Sequence, residues 1–287
     1  MHIDYHVHPD FSIDACPNSI DDYCRQAVSI GLAEICFTPH FEADPLRRRV
    51  DWYVRLGGLR HPMDDWSWLD AYFRQIEDAR RRYGSRLTVL AGVEIGYDYG
   101  LEEIINRLIQ TYPFDFVLGA VHCLEHVAIS SSEEAGKFFS RHSPQAAAAA
   151  YFQRLVEAVR TGFFDAVAHV DIYKRHGRRY YGGLVDLMHR EWAEELFREA
   201  ARRRMAVEIN TSPWRAGEEH CHPSLDLLAS AREQGVAYCT LGSDAHKLDD
   251  LGFGIDRAKD LTGAWKISIA TFKGRQVRVL DKPSPES

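Results

Sequence analysis

Histidines and carboxylates that can bind metal ions stand at the ends of short apolar segments throughout this sequence. The segments have the length and residue types of buried β-strands. In a barrel of parallel strands the carboxyl ends meet at one rim, so side chains at those positions converge. This spacing predicts a metal-dependent enzyme. The nine candidate ligands are His6, His8, Asp14, His40, Glu94, His122, His169, Asp244 and His246.

The first two of these histidines, His6 and His8, are two positions apart. Side chains alternate along a strand, so both imidazoles are predicted to face the same side and to bind one cation. Asp4 has the same parity, which predicts either a hydrogen bond to the ring N–H of a ligand histidine or an ordinary strand-end hydrogen bond. One such pair is a weak signal, and the prediction depends on its repetition at the later strand ends.

The types of donor indicate which metals the centre would hold. Mixed imidazole and carboxylate ligands suit Zn, Mn or Fe, and the absence of cysteine among them argues against a structural thiolate zinc site. Nine donors exceed the needs of one ion, so we expect two or three divalent ions that share carboxylates. Clustered cations lower the pKa of a bridging water enough to supply hydroxide near neutral pH.

Short segments rich in Val, Ile, Leu and aromatic residues are predicted to be the strands that position these ligands. They cover residues 3–8, 34–38, 87–94, 116–121, 166–169, 206–210 and 237–242. Helical patterns fill the intervals between them, and alternating strands and helices predict parallel β/α units. We therefore expect an α/β fold, a closed or nearly closed barrel that forms a single domain over residues 1–287.

The helices are predicted from apolar stripes and capping residues. Ser19 should cap a helix that stops at Gly31, and residues 145–161 should form another that ends at Gly162. A further apolar stripe runs through Leu184, Leu187, Met188, Trp192 and Leu196, and residues 224–234 should form a last short helix.

Two regions break this rhythm. Residues 44–68 are aromatic and lack periodicity, so we expect a long active-site loop beside His40. Its aromatic side chains would either form a lid or pocket wall or simply pack the loop down. Residues 265–280 alternate around Lys273 and Gly274, which predicts a closing β-hairpin. The tail at 283–287 is expected to be frayed.

Composition excludes several classes of function. A chain of 287 residues with 45% hydrophobic content can bury a large core. No apolar run approaches the roughly 18 residues of a membrane span, and the N-terminus lacks a signal-peptide pattern, so we expect a cytoplasmic protein with no membrane partner. A net charge of -7 with only short basic clusters argues against binding to nucleic acid. The six cysteines form no C-x-x-C pair, which favours reduced thiols. No pattern indicates the oligomeric state.

The order of the short motifs resembles a known superfamily. H-x-H, F-S-x-D, T-P-H, G-V-E, G-x-V-H, A-H-x-D and G-S-D-A-H follow one another in this chain. This set, which spans residues 2 to about 255, is similar to that of the polymerase and histidinol phosphatase (PHP) superfamily, and more narrowly to its histidinol-phosphate phosphatase branch. The resemblance implies a distorted, TIM-like (β/α)7 barrel with a trinuclear metal centre.

The resemblance also implies how the ligands divide among the ions. One ion would be held by His6, His8, Glu94 and Asp244, a second by Glu94, His122 and His169, and a third by Asp14, His40 and His246. Some relatives have histidine where this chain has Asp14, and a carboxylate there would favour a harder metal in the third site.

The activity implied by the resemblance is phosphomonoester hydrolysis, in which a metal-bridging hydroxide attacks phosphorus. The leading hypothesis is an L-histidinol-phosphate phosphatase of histidine biosynthesis that takes a small phosphorylated substrate. Lys174, Arg175 and Arg215 follow strand ends and are predicted to bind the phosphate, with the two arginines preferred. Asp244 and His246 are also expected to act in catalysis, although the group that protonates the leaving alkoxide is left open between Asp244 and a metal-bound histidine.

Two alternatives stay open at this stage. The chain could be a PHP-type phosphatase or phosphodiesterase that acts on another small phosphate ester or on a nucleotide. It could also be a non-catalytic metal-binding module, which the full ligand set disfavours.

Overall fold

The strands alternate with helices along most of the chain. The computed structural model describes residues 1–188 and 192–280, so the predicted frayed tail and His189 lie outside the described residues. The strands are β1 (Ile3–Val7), β2 (Glu34–Phe37), β3 (His40–Glu42), β4 (Tyr53–Leu56), β5 (Leu59–Pro62), β6 (Thr88–Gly96), β7 (Phe116–Ala120), β8 (Cys123–Leu124), β9 (Val127–Ala128), β10 (Ala166–Val167), β11 (Ala206–Asn210), β12 (Tyr238–Gly242), β13 (Ser268–Lys273) and β14 (Gln276–Val279).

The helices begin and end close to the positions that their capping residues predict. Ser19 accepts a hydrogen bond from the Asp22 amide in a complete capping box, and Gly162 ends its helix in the left-handed conformation that glycine favours. The helices are α1 (Ile20–Ser29), α2 (Ser67–Tyr83), α3 (Glu102–Thr111), α4 (Ala135–Phe139), α5 (Pro144–Thr161), α6 (Tyr173–Tyr181), α7 (Ala193–Arg203), α8 (Ser212–Arg215), α9 (Leu225–Glu233) and α10 (Ile255–Trp265).

A ring of parallel strands forms the centre of the fold, in the order β1, β2, β6, β7, β10, β11, β12. The ring closes where Val7 and Ala245 form a parallel bridge, and the His8 amide donates a 2.8 Å hydrogen bond to the Ala245 carbonyl. The predicted seven-stranded α/β barrel is therefore confirmed. Parallel closure brings the carboxyl ends of these strands to one rim, which is where the predicted ligands stand.

Alternate residues of the strands face the helices and the interior of the ring. On β6, Val93 packs in the core shared with the helices, whereas Leu90 belongs to a second cluster with Tyr5 and Phe116. The rings of Tyr5 and Phe116 lie 5.2 Å apart although β1 and β7 are not neighbours, so this cluster fills the ring itself. Packed side chains of this kind hold the strand ends rigidly.

The hairpin β13–β14 covers the opposite, amino-terminal end of the ring. Phe272 contacts the ring of Phe116 at 5.0 Å, and Gly274 and Arg275 donate backbone hydrogen bonds to Asp115 at the start of β7. This hairpin, residues 268–279, lies within the range 265–280 in which a closing hairpin is predicted. One end of the ring is thus plugged, which leaves the ligand-bearing end as the open one.

Residues 44–68 are more ordered than the predicted loop. They contain a 3-10 turn (Pro45–Arg47) and the antiparallel hairpin β4–β5, whose strands are joined by Gly57 and Gly58 at positive φ. The sequence analysis did not predict these strands, because four residues are too few to show a clear alternation. Two adjacent glycines before a polar segment were the signal that could have indicated the turn.

The apolar stripe from Leu184 to Leu196 does not form one helix. Residues Gly182–Asp186 form a 3-10 helix in which Leu184 is exposed, and α7 begins only at Ala193. The glycines at 182 and 183 start the tighter turn, and helical spacing alone could not reveal the break.

Among the described residues, none of the helices is long and apolar enough to span a bilayer.

Candidate metal centre

A cavity of about 570 Å³ opens at the carboxyl ends of the ring strands. Most of the predicted ligands line its floor, and His6 and His8 lie directly beneath it, fully buried. The nine side chains therefore converge as the strand-end spacing predicts. They fall into groups that share Glu94 and Asp244.

The deepest group contains His6, His8, Glu94 and Asp244. His6 Nε2 lies 3.3 Å from Glu94 Oε2 and 3.7 Å from Asp244 Oδ1, and His8 Nε2 lies 3.5 Å from each of these two oxygens. Four donor atoms directed at one small space can surround a single cation.

A second group forms around the other oxygen of Glu94. His169 Nε2 lies 2.9 Å and His122 Nε2 lies 3.3 Å from Glu94 Oε1, and the two imidazole nitrogens are 3.4 Å apart. Because its two carboxylate oxygens face different groups, Glu94 could offer one oxygen to an ion in each of them.

The third group stands at the mouth of the cavity. Asp14 lies 3.5 Å from His40 Nε2 and 3.2 Å from His246 Nε2. His40 begins β3 beside Glu94, and its Nδ1 lies 3.0 Å from Glu94 Oε2. The Asp14 and His246 side chains are 54% and 26% exposed, so this group is the one that meets solvent.

Several donor atoms in this centre have no hydrogen-bond partner in the described part of the chain. His6 Nε2, His8 Nε2 and Glu94 Oε2 are all buried in this state. Unsatisfied buried polar atoms are costly, and a bound cation would satisfy all three at once. The donor set, imidazole and carboxylate without thiolate, fits a divalent metal of the Zn, Mn or Fe type.

The charges in this centre are strongly coupled. Burial opposes ionisation of Glu94, but His6, His122 and His40 outweigh it and hold its pKa well below the usual value. Burial together with the neighbouring His246 and His40 lowers the pKa of His8, so this imidazole is neutral and its lone pair is available to a metal.

Polar residues that the motif analysis did not identify orient the ligand histidines. Glu208 Oε1 lies 2.6 Å from His6 Nδ1, Glu42 Oε1 lies 2.6 Å from His122 Nδ1, and Ser12 Oγ lies 3.0 Å from His8 Nδ1. The two carboxylates accept from Nδ1–H, which fixes the tautomer of His6 and His122 in their neutral form and leaves Nε2 free to bind a metal. The Ser12 hydroxyl holds the orientation of the His8 ring. A charged residue inside the apolar strand 206–210 was the signal that could have found Glu208.

Asp4 does not take the role that strand parity allowed for it. A register shift in the pairing of β1 with β2 lies between Asp4 and Val7, so the alternation is broken there. The carboxylate instead accepts hydrogen bonds of 2.9 Å from the amides of Ser243 and Gly252. Asp4 therefore holds the loop after β12. This agrees with the second possibility predicted for Asp4, an ordinary strand-end hydrogen bond.

Of the predicted phosphate-binding residues, Arg175 lines the cavity. Its guanidinium donates a 3.2 Å hydrogen bond to Ser212 Oγ and lies 3.8 Å from Asp244 Oδ2. The side chain is 38% exposed, so donors remain for an anion in the cavity.

Lys174 and Arg215 are placed differently from the prediction. The ammonium of Lys174 is buried in an ion pair with Asp171 at 2.8 Å and donates to Ser224 Oγ at 2.7 Å, away from the cavity lining. Arg215 donates to the backbone carbonyls of Ser243 and Asp244, the latter at 2.9 Å. Both placements contradict direct contact with phosphate, because each cation is already neutralised or committed to backbone acceptors.

The outer wall of the cavity comes partly from the segment after β3. The buried Arg47 ties this segment to the loop after β9: its guanidinium bonds Asp51 and lies 2.8 Å from Glu134 Oε2. Arg47, Val50 and Asp51 of this segment line the cavity, whereas Trp68 is packed in the core and Trp66 packs against Tyr112. The aromatic side chains thus pack the segment down, and other side chains line the cavity.

Comparison with known proteins identifies clear relatives. The PHP domain family model matches residues 4–212. The histidinol-phosphatase of Lactococcus lactis subsp. lactis is 28% identical over 280 residues, 96% of each chain, and a protein named "Probable histidinol-phosphatase" from Deinococcus radiodurans is 27% identical over 263 residues, 90% of this chain and 91% of that protein.

A solved structure has the same fold. The crystal structure of histidinol phosphate phosphatase from Lactococcus lactis subsp. lactis, complexed with Zn, L-histidinol and phosphate, superposes with a TM-score of 0.80 at 24% identity. The match covers 96% of this chain and 98% of that one. It supports the assignment of the barrel, including the strands beyond residue 212.

Proposed function

This chain belongs to the PHP domain family, and on that premise we propose that it is a metal-dependent phosphomonoester hydrolase that acts on L-histidinol phosphate. The observation that carries the proposal is the convergence of the nine ligand-type side chains on Glu94 and Asp244 beneath an open cavity. The relatives named as histidinol-phosphatases, and the structure that holds Zn, L-histidinol and phosphate, favour this ester over others.

We propose that the domain continues past the matched residues 4–212. The ring is completed by β12, and Asp244 and His246 follow that strand. A domain that ended at residue 212 would leave β1 unpaired on one side and would remove two ligands. A single PHP-type domain over residues 1–287 accounts for the closed ring and for the two ligands that follow β12.

The proposed ligands are the three groups described above: His6, His8, Glu94 and Asp244; Glu94, His122 and His169; and Asp14, His40 and His246. Two or three divalent ions held there would act as Lewis acids toward the phosphate oxygens and would acidify water. Zn, Mn and Fe all suit these donors. The chain itself supplies a rigid floor, since most of the ligands lie in or shortly after strands of the closed ring.

The residues at the mouth would act on the substrate. Arg175 presents a planar guanidinium that can bind two phosphate oxygens at once. Burial opposes protonation of His246, but Asp14 and Asp244 raise its pKa, so Nε2 can carry a proton when the third group holds no ion. This partly exposed imidazole is our candidate for donating that proton to the leaving alkoxide, with Asp244 retaining a role in holding the imidazole.

The test of this function is a substrate panel with the zinc- or manganese-loaded protein. We expect the highest kcat/KM for phosphate release from L-histidinol phosphate, compared with p-nitrophenyl phosphate, nucleoside monophosphates and bis-p-nitrophenyl phosphate. A higher kcat/KM for a nucleotide or the diester would favour the other phosphatase or phosphodiesterase reading. If the metal-loaded protein turned over none of these esters, the remaining hypothesis would be a non-catalytic metal-binding module.

Replacing Arg175 by alanine is expected to lower kcat/KM for L-histidinol phosphate about ten- to hundredfold, because a charge-assisted hydrogen bond contributes roughly 1.5–3 kcal/mol. The metal content should stay at the wild-type value. Arg178→Ala is the matched control, since Arg178 stands on the same helix and pairs with Asp186 at the surface. Equal kcat/KM in the two variants would remove Arg175 from the phosphate site.

A further inference from the structure

A buried carboxylate in the interior of the ring contacts two of the ligand groups. Glu208 lies in the middle of β11 and is 1% exposed. One of its oxygens lies 2.6 Å from His6 Nδ1, and the other accepts hydrogen bonds from the His169 amide at 2.9 Å and from Asn210 Nδ2 at 3.2 Å. Among the described residues, the hydrogen bonds of this carboxylate go to ligand residues and to Asn210 on its own strand.

The first contact determines which nitrogen of His6 faces the centre. The carboxylate accepts the hydrogen bond of this ring, so in the neutral imidazole, the form that binds a metal, the one proton of His6 is on Nδ1. The lone pair is then on Nε2, which lies 3.3 Å from Glu94 Oε2 and has no hydrogen-bond partner in the described chain. Glu208 thus selects the tautomer in which His6 can bind an ion of the deepest group.

The second contact holds the backbone of a ligand in the other group. His169 has a φ of +22°, a conformation that side-chain-bearing residues rarely adopt, and its amide donates to Glu208 Oε2. Its imidazole Nε2 lies 2.9 Å from Glu94 Oε1. The backbone hydrogen bond therefore fixes the direction in which this imidazole leaves the strand end.

The packing around Glu208 leaves no spare room. A Cβ atom at Gly242 of the neighbouring strand would lie within 2.6 Å of His6 Cβ and closer still to Glu208 Oε1. Glycine at this position lets β12 approach the carboxylate and the imidazole, so their relative position is set by three strands at once.

We propose that Glu208 is a positioning residue shared by two metal-ligand groups, the His6 group and the His169 group. Glu42, by contrast, lies 2.6 Å from His122 Nδ1 and 3.9 Å from His40 Nδ1, so its one contact at hydrogen-bond distance is with a single group. The inference rests on the metal centre of the proposed function and goes beyond it. It makes metal binding in both groups depend on Glu208, a residue that would contact neither metal nor substrate.

Zinc titration of metal-free protein tests the inference, with ZnCl₂ competing against a chromophoric chelator. Glu208→Ala is expected to weaken two zinc sites by about ten- to hundredfold each, the range for loss of a partner behind a ligand. Glu42→Ala should weaken one site by a similar factor. Glu34→Gln is the burial control, since Glu34 bonds the Tyr5 hydroxyl within the same barrel, and it should bind zinc as the wild type does.

A conservative variant and a spectroscopic measurement distinguish a loss of ligand positioning from misfolding. Glu208→Gln keeps the side-chain volume and one acceptor, so it should fold and show a smaller loss of zinc affinity than the alanine variant. In ¹⁵N NMR spectra of zinc-loaded wild type, His6 should carry its proton on Nδ1. The opposite tautomer, wild-type zinc affinity in both Glu208 variants, or a loss confined to one site would each overturn the inference.

The two proposals fail in different ways. A wild-type protein that binds no zinc would sink the metal-dependent function and the inference together. Zinc affinity that is unchanged in the Glu208 variants would contradict only the inference. The expected loss at two zinc sites, without hydrolysis of L-histidinol phosphate by the wild type, would contradict only the substrate assignment.

Discussion

Replacing Glu94 by glutamine is expected to lower kcat for L-histidinol phosphate by about three orders of magnitude or more. Glu94 has one oxygen in contact with the His6 and His8 group and the other in contact with the His122 and His169 group. A neutral amide offers one oxygen, so it cannot bridge two cations. Loss of metal-based charge stabilisation is worth several kcal/mol, and each 1.36 kcal/mol is a factor of ten in rate.

The measurement is steady-state phosphate release together with elemental analysis of the purified variant. We expect Glu94→Gln to hold less metal than the wild type and to melt cooperatively, since the amide has the same shape as the carboxyl. Glu34→Gln changes another buried carboxyl of the barrel that lies outside the centre, and it should keep wild-type activity. A Glu94→Gln enzyme with near-normal kcat would contradict the bridging role.

Removal of the metal is expected to abolish activity and to lower thermal stability, both reversibly. Ions that bind only the folded chain stabilise it by RT ln(1 + [L]/Kd), about 2.7 kcal/mol at one hundred times Kd. Without them, the donors beneath the cavity are buried without partners, as His8 Nε2 and Glu94 Oε2 are here. Dialysis against a chelator, followed by melting curves and assays before and after zinc is restored, measures both effects.

The affinity for metal should also rise with pH. Burial lowers the pKa of His122, but Glu94 and Glu42 outweigh it and raise this pKa to about 10, so the imidazole is protonated near neutral pH in the metal-free chain. A cation must displace that proton, and fewer protons compete as pH increases. Zinc titrations at pH 6, 7 and 8 should therefore give successively tighter binding.

For the prediction on metal removal, full activity in protein shown by elemental analysis to be metal-free would refute the metal requirement.

Local sequence patterns were sufficient to predict the ring and the nine ligand-type residues. Most of these residues lie at the end of an apolar segment or shortly after it, a relation within a few residues of the chain, whereas Asp14 lies in the loop after β1. His122 follows β7 and His169 follows β10, so neither needed information from elsewhere. Parallel strands then bring these ends together by geometry alone, because their carboxyl ends meet at one rim.

Only the tertiary structure decided which polar groups support those ligands and which cation faces the cavity. Glu208 and His6 are 202 positions apart, and no periodic pattern links them. Lys174 and Arg175 are adjacent, yet a helix turns each residue about 100° from the last, so one is buried against Asp171 and the other lines the cavity. Periodicity records the face on which a side chain lies, whereas its hydrogen-bond partners depend on which strands and loops close around it.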